Sequence, residues 1–246
     1  MIKHLLRLVI FCVIGLLATD CNEEPSLQPV GEKVVNPHAL AASVGGANFY
    51  ALMANTHHKY KDGSLLVLDT QGNKVRSLAT PRLGRAIAAN EDWLLAVYNR
   101  ESGAKKKGAV ELYSLDPDPS NPQKEKRWSL DCNPANVVMP KGSSLFSVVC
   151  LEGDVYLGEV NKSEPETSSL TKIRSYPGFV RRAMYLDPIR ELLYLFVTDM
   201  GAPSLSDSRY EDRYTYDEKG EQDHIDAFHV KTFAEKPHQK LAERFV

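Results

Sequence analysis

Cys132 and Cys150 are two cysteines whose spacing would let them react with each other. Residues 140–143, Pro-Lys-Gly-Ser, predict a hairpin turn centred between Lys141 and Gly142. Cys132 and Cys150 are nearly equidistant from that centre, so they should face each other within the reach that a disulfide requires. Two buried free thiols are the alternative. A redox or nucleophilic role is not favoured, because the chain has no Cys-x-x-Cys.

Other residue types that could perform chemistry do not form a recognisable constellation. His57 and His58 are adjacent, and His224 and His229 are separated by an odd number, so each pair would diverge on a strand. The carboxylates of residues 217–223 lack the spacing of an EF-hand loop. No nucleophile elbow, phosphate loop, zinc helix or dinucleotide fingerprint occurs. We therefore predict no catalytic residues, no metal and no cofactor.

Composition limits the classes of partner. The chain has 246 residues, is 43% hydrophobic and carries a formal net charge of -2. The apolar content is enough for a sizeable core, and the charge does not favour nucleic acid. The lysines at 105–107 are expected to be a solvated loop tip.

The N-terminus predicts export. Lys3 and Arg7 precede an unbroken apolar run over residues 8–18. This run is shorter than the about 20 residues that span a bilayer, but it suits the core of a secretory signal. We assign residues 1–20 to a signal peptide.

Residues 17–21, Leu-Ala-Thr-Asp-Cys, resemble a bacterial lipobox. Asp20 departs from that pattern, in which a small residue is expected. The resemblance implies that Cys21 is lipidated and that polar residues 21–35 form a flexible tether. The protein would then be a lipoprotein on the periplasmic side of a bacterial membrane. Secretion after cleavage near Ala18 is the alternative.

A repeat of about 45 to 50 residues runs through the rest of the chain, in the range that propeller blades show. Its copies are residues 36–81, 82–131, 132–176 and 177–246, the last with an insertion at 199–223. Each copy predicts four strands. The predicted strands are 38–44, 48–54, 64–69 and 74–78; 85–89, 93–98, 109–115 and 124–130; 135–139, 144–151, 154–160 and 170–175; 182–186, 191–198, 225–230 and 239–245.

Several of these strands are apolar at consecutive positions, as in residues 65–68 and 192–197. Such a strand is buried on both faces. No amphipathic helix separates the strands, so sheets stacked face to face explain the pattern better than a parallel sheet covered by helices. A β-sandwich is the second choice, because its strands would alternate more cleanly between apolar and polar residues than these strands do.

Residues 63–75, Gly-Ser-Leu-Leu-Val-Leu-Asp-Thr-Gln-Gly-Asn-Lys-Val, resemble YVTN-type and related WD40-like bacterial β-propellers. In that pattern Asp69 and Thr70 close the third strand of a blade, and Gly72 and Asn73 form a turn that tolerates positive φ. The resemblance implies an all-β propeller of four-stranded blades. About four blades are visible, so the propeller could be incomplete or open.

Three large polar loops would lie together at one end of the blades, because each connects a second strand to a third. We call residues 55–62, 99–108 and 199–223 the rim. Aromatic and basic side chains in such loops are typical of protein contacts, although solvated loops without a ligand are the alternative. The candidate binding residues are His57, His58, Lys59, Arg209, Tyr210, Arg213, Tyr214 and Tyr216.

The sequence therefore favours a non-enzymatic binding or scaffold protein of the cell envelope, whose partner is another envelope protein. A propeller hydrolase of lactonase type is the alternative. It would need titratable groups on the innermost strands, and the segments 39–42, 86–89, 136–139 and 183–186 contain no Asp, Glu or His.

Overall fold

Four antiparallel sheets of four strands make up the described part of the chain. A computed structural model describes residues 37–53, 62–99, 108–175, 184–197, 224–229 and 239–240. We call the sheets blades 1 to 4. Blade 1 has β1 (Pro37–Ala42), β2 (Phe49–Met53), β3 (Gly63–Leu68) and β4 (Lys74–Thr80); blade 2 has β5 (Gly84–Ala89), β6 (Trp93–Tyr98), β7 (Gly108–Ser114) and β8 (Gln123–Leu130); blade 3 has β9 (Pro134–Val138), β10 (Leu145–Cys150), β11 (Asp154–Glu159) and β12 (Ser169–Ser175); blade 4 has β13 (Met184–Asp187), β14 (Leu192–Val197), β15 (His224–His229) and β16 (Gln239–Lys240).

The strands lie where the repeat predicts them, with ends that shift by one or two residues in most cases. β6 matches its predicted range in full. The predicted ends 182–183 and 241–245 lie outside the described residues, as do the signal peptide and tether. A single turn of 3-10 helix, Pro165–Thr167, precedes β12. In the described ranges, no helix has the length and apolarity that crossing a membrane would require.

Each blade is a simple meander, in which every strand pairs with the next one along the chain. The first strands of successive blades lie beside one another, since β5 contacts both β1 and β9, and β9 contacts β13. Loops that connect a second to a third strand therefore lie at one end of the blades, and loops that connect a first to a second strand lie at the other. We call these the rim end and the opposite end.

Neighbouring blades pack face to face through apolar side chains. Tyr50 and Leu52 of blade 1 meet Leu94 and Ala96 of blade 2. Because successive side chains of β6 point to opposite faces of the sheet, its other side chains, Leu95 among them, face blade 3. A third apolar cluster joins blades 3 and 4. The continuous apolar runs thus bury both faces of the central strands.

The first strands repeat a local irregularity. The ladder skips His38 in β1 and Arg85 in β5, so each forms a bulge near the rim end of its strand. At the opposite end of the same strands a polar side chain orders the following turn. Asn90 accepts hydrogen bonds from the backbone of Asp92 and Trp93 at 3.1 and 2.9 Å.

The turn that carries the family resemblance is held by Asp69. Its Oδ1 accepts the backbone N–H groups of Gln71 and Asn73 at 2.9 and 2.8 Å. The hydrogen bond from the Asn73 side chain, followed by those from the backbone, holds the pKa of Asp69 below its usual value. Gly72 has a positive φ of 82° as expected. Asn73 does not; it instead donates its side-chain amide to Asp69 Oδ2 at 2.9 Å.

Gly63 and Gly108 begin the third strands of blades 1 and 2. Each lies beside the segment that connects its blade to the next one. A Cβ on Gly63 would lie 2.5 Å from the carbonyl oxygen of Pro81, and one on Gly108 would lie 2.2 Å from that of Cys132. Only glycine leaves space for the connection at these positions.

Candidate functional site

A disulfide joins Cys132 to Cys150 at the rim end, with a Cα–Cα distance of 5.9 Å. Both cysteines are buried. The ladder pairs Cys150 with Pro134, so the disulfide runs diagonally from the chain just before β9 to the last residue of β10. The expected register was therefore slightly wrong, because the hairpin turn is centred about one residue later and the ladder skips Ala135 in β9. The disulfide fixes the connection from blade 2 to the body of blade 3.

Polar groups reinforce the same connection. Glu152 accepts the backbone N–H of Asn133 at 2.7 Å and also its side-chain amide. The backbone N–H of Leu151 donates to the carbonyl of Asn133 at 2.8 Å. At the rim end, blade 3 thus presents a short loop that is tied to the blade-to-blade connection.

The candidate binding residues of the rim lie outside the described residues. This holds for His57, His58, Lys59, Arg209, Tyr210, Arg213, Tyr214 and Tyr216, and for the lipidation candidate Cys21. What the structure does describe is the strand ends on either side of these segments. Residues 54–61, 100–107 and 198–223 each connect the second and third strands of a blade, and those strands end and begin at the rim end.

Two first strands carry a titratable group just outside the segments 39–42 and 183–186, which contain no Asp, Glu or His. β1 includes His38, which the predicted strand 38–44 also contained, and β13 ends on Asp187. Asp187 orders its own turn, since it accepts the backbone N–H groups of Ile189 and Arg190 at 2.9 Å. Its pKa is lowered mainly by the hydrogen bond from Arg190. Asp187 therefore stabilises a turn.

Glu111 is a fully buried carboxylate in β7, on the face of blade 2 that packs against blade 1. Its Oε2 accepts the hydroxyl of Tyr113 at 2.6 Å. Its Oε1 lies 3.5 Å from Arg127 Nη1 and 3.7 Å from Lys124 Nζ, and both cations are about half exposed. Burial, assisted by the Glu111 charge, raises the pKa of Tyr113, so this hydroxyl stays protonated.

This cluster has the residue types of a catalytic site but not the access. Glu111 has no exposed surface, and Tyr98 beside it is buried to the same degree. In blade 1 the equivalent position holds Leu66, since both residues pair with the corresponding alanine of the second strand. We interpret Glu111 as a structural ion pair that joins the central and outer strands of blade 2. Among the described residues, no three His, Cys, Asp or Glu side chains are grouped to hold a metal ion.

An open cleft of about 580 Å³ lies at the opposite end, between blades 3 and 4. Blade 3 contributes the turn after β9 and the adjoining ends of β10, β11 and β12, and blade 4 contributes the turn between β13 and β14. The sequence reading missed it. Its lining includes Leu145, Leu157, Glu159, Ser169, Thr171 and Glu191.

Three solved structures resemble the chain: hydrazine synthase of Kuenenia stuttgartiensis, the β-propeller domain of Myceliophteria thermophila Cps50 (Swd1), and Saccharomyces cerevisiae Sqt1. Their TM-scores are 0.56, 0.55 and 0.54, with sequence identities of 12%, 10% and 11%. The fold is that of a WD40-like β-propeller. The alignments cover 87%, 85% and 86% of this chain and 53%, 58% and 49% of those chains. The chain thus spans about half the length of the solved structures that it matches.

These identities support the fold alone. No family model matches the chain, and no curated protein has a similar sequence. The propeller predicted from the repeat is confirmed, and the β-sandwich is not needed to explain the strands.

Proposed function

We propose that this protein is an exported, lipid-anchored binding or scaffold protein of a bacterial cell envelope. Its partner would be another envelope protein, which it would contact through the rim. The observation that carries the proposal concerns two carboxylates, the buried Glu111 and the strand-end Asp187. Both accept hydrogen bonds from their own blade, and so they stabilise the fold.

The rim end supports the binding role through its rigidity. The polar segments 99–108 and 199–223 are joined to the rim ends of blades 2 and 4, on either side of blade 3, whose own rim loop is short and tied by the disulfide. A rigid base reduces the ordering cost that loops incur when they bind. Aromatic and arginine side chains, such as those of 209–216, contribute strongly to protein interfaces.

The export part of the proposal rests on the N-terminal sequence and on Cys21. The disulfide is compatible with it, because disulfides persist in oxidising compartments such as the periplasm. Mass spectrometry of the mature N-terminus tests the anchor. We expect a lipidated Cys21, and an unlipidated terminus upstream of it would exclude this part of the proposal.

Capture from crosslinked envelopes tests the binding role. The full chain is expressed with its N-terminal segment and compared with Arg209→Ala/Tyr210→Ala and with a variant in which 200–222 is replaced by a Gly-Ser linker. The matched control is Arg190→Ala/Tyr185→Ala, which removes an exposed arginine and an exposed tyrosine away from the rim. We expect the rim variants to lose the partner and the control to retain it. Equal capture by all of them would remove the rim from the proposal.

A further inference from the structure

The loop between β11 and β12 carries an asparagine in the sequence context that N-linked glycosylation requires. Asn161, Lys162 and Ser163 form Asn-x-Ser, with a residue other than proline in the middle. Asn161 is the one asparagine of the chain that is followed two positions later by serine or threonine. Bacterial enzymes that attach such saccharides also select an acidic residue two positions before the asparagine, and Glu159 occupies that position.

This loop is accessible at the end of blade 3. It connects β11 to β12, so it lies at the opposite end of the blades and outside the ladder of paired strands. Lys162, Ser163 and Glu164 are all exposed, and 57% of the Lys162 side chain is accessible to solvent. A bulky hydrophilic saccharide can be accommodated only in such a surface loop.

The two side chains that define the motif lie together on one side of the turn. The Ser163 hydroxyl donates to Asn161 Oδ1 at 2.8 Å, and the backbone N–H of Ser163 donates to the same oxygen at 3.1 Å. These contacts form an Asx turn, which brings the hydroxyl and the carboxamide together at the surface. A transferase that recognises both groups therefore meets them on one face of the loop.

The side-chain nitrogen of Asn161 is the atom that would react. Nδ2 carries two hydrogens, and it donates one of them to Thr167 Oγ1 at 2.8 Å. The second hydrogen has no acceptor among the described residues. If a saccharide replaces it, Oδ1 and the remaining N–H still make the hydrogen bonds of the turn. The modification is thus compatible with the folded loop.

We propose that Asn161 is an N-glycosylation site that a membrane-bound transferase modifies outside the cytoplasm. The donor is a saccharide linked to a polyprenyl diphosphate. A bond forms between Asn161 Nδ2 and the anomeric carbon of the saccharide, and the bond from that carbon to the diphosphate oxygen breaks. The polyprenyl diphosphate leaves with the electron pair, and Nδ2 loses one proton to a base of the transferase. No group is oxidised or reduced.

This inference rests on the export part of the proposed function, because the transferase acts on the far side of the cytoplasmic membrane. It also restricts where a partner binds. The saccharide would project from the opposite end of blade 3 and would leave the rim uncovered. An envelope protein would therefore dock at the rim and not at the glycosylated end.

Mass spectrometry of the protein purified from the envelope of its native organism tests the proposal. The full chain is expressed there with its N-terminal segment, and electron-transfer fragmentation locates any saccharide. We expect the peptide that contains residues 159–164 to carry a saccharide on Asn161. Fractionation of the same cells shows whether the chain has been exported.

Variants separate recognition of the motif from effects on the fold. Asn161→Gln and Ser163→Ala should abolish the modification, whereas Ser163→Thr should retain it, because threonine also supplies the hydroxyl. Glu159→Gln should lose the modification, because it removes the acidic group with little change in shape. The matched control is Asn73→Gln, which removes another exposed asparagine whose amide holds a turn, and it should leave Asn161 modified.

An exported chain with unmodified Asn161 would overturn this inference and leave the export proposal intact. A chain that remains in the cytoplasm would overturn both. A saccharide that persists in Asn161→Gln or in Ser163→Ala would be attached elsewhere, and this result would also count against the site.

Discussion

Breaking the disulfide between Cys132 and Cys150 is predicted to destabilise the whole propeller. The two residues are separated by 18 positions, so the disulfide closes a loop of that size in the unfolded chain. The chain-entropy relation gives about 3 kcal/mol for such a loop at 25 °C. For a protein of roughly 200 folded residues, each 1 kcal/mol shifts Tm by about 2–4 °C. The expected decrease is therefore about 6–12 °C.

Thermal unfolding by circular dichroism measures this effect on oxidised and reduced protein. The variants are Cys132→Ala, Cys150→Ala and the double variant. Since each single substitution already removes the link, the double variant should be little worse than either single one. Reductant should lower the Tm of the wild type and leave the Tm of the double variant unchanged.

Two results would refute this reasoning. One is an oxidised wild type that still titrates two thiols in denaturant besides any contributed by its N-terminal segment. The other is a reduced wild type that unfolds at the same temperature as the oxidised form. Additive losses from the two single substitutions would also contradict it, because they would indicate independent packing of two thiols.

Three further substitutions test separate parts of the fold. Glu111→Ala should cost about 3 kcal/mol, since it removes the acceptor of the Tyr113 hydroxyl and leaves a void, whereas Glu111→Leu should cost only about 1 kcal/mol in urea unfolding. Gly158→Ala should cost about 3 kcal/mol by the same assay, because its Cβ would lie 2.1 Å from the buried ring of Phe146. Asp69→Ala should lower the free energy of unfolding at neutral pH. Because the pKa of Asp69 is lowered in the folded state, the stability difference between wild type and variant is complete above the usual carboxyl pKa. It should disappear as the pH falls through the lowered pKa.

The repeat could be read from the sequence because its signals are local. β6 is a six-residue apolar run with polar residues on each side in the sequence, and its predicted and observed ranges agree. Gly72 predicted a turn with positive φ, and it has one. Strand ends were less predictable, because a strand continues for as long as its backbone groups find hydrogen-bond partners on the neighbouring strand. β3 thus begins at Gly63, one residue before its apolar run, where absence of a side chain is required.

Features that depend on register between blades could not be read in the same way. Glu111 interrupts an apolar strand, but only the pairing of blade 2 shows that Tyr113, Arg127 and Lys124 are close to it. The cleft is a comparable case. The sequence signal is Leu145, which begins β10 where the equivalent strand of blade 2 begins with Trp93, and it has meaning only when the repeats are aligned strand by strand.

Packing of successive blades through defined faces is the central claim, because it positions both the rim and the cleft. The contact between Trp128 of blade 2 and Phe146 of blade 3 reports on it, with ring centroids 5.6 Å apart and ring planes tilted by 49°. A double-mutant cycle with Trp128→Leu and Phe146→Leu, measured by urea unfolding, should give a coupling energy of about 1 kcal/mol. Purely additive losses would contradict the claim.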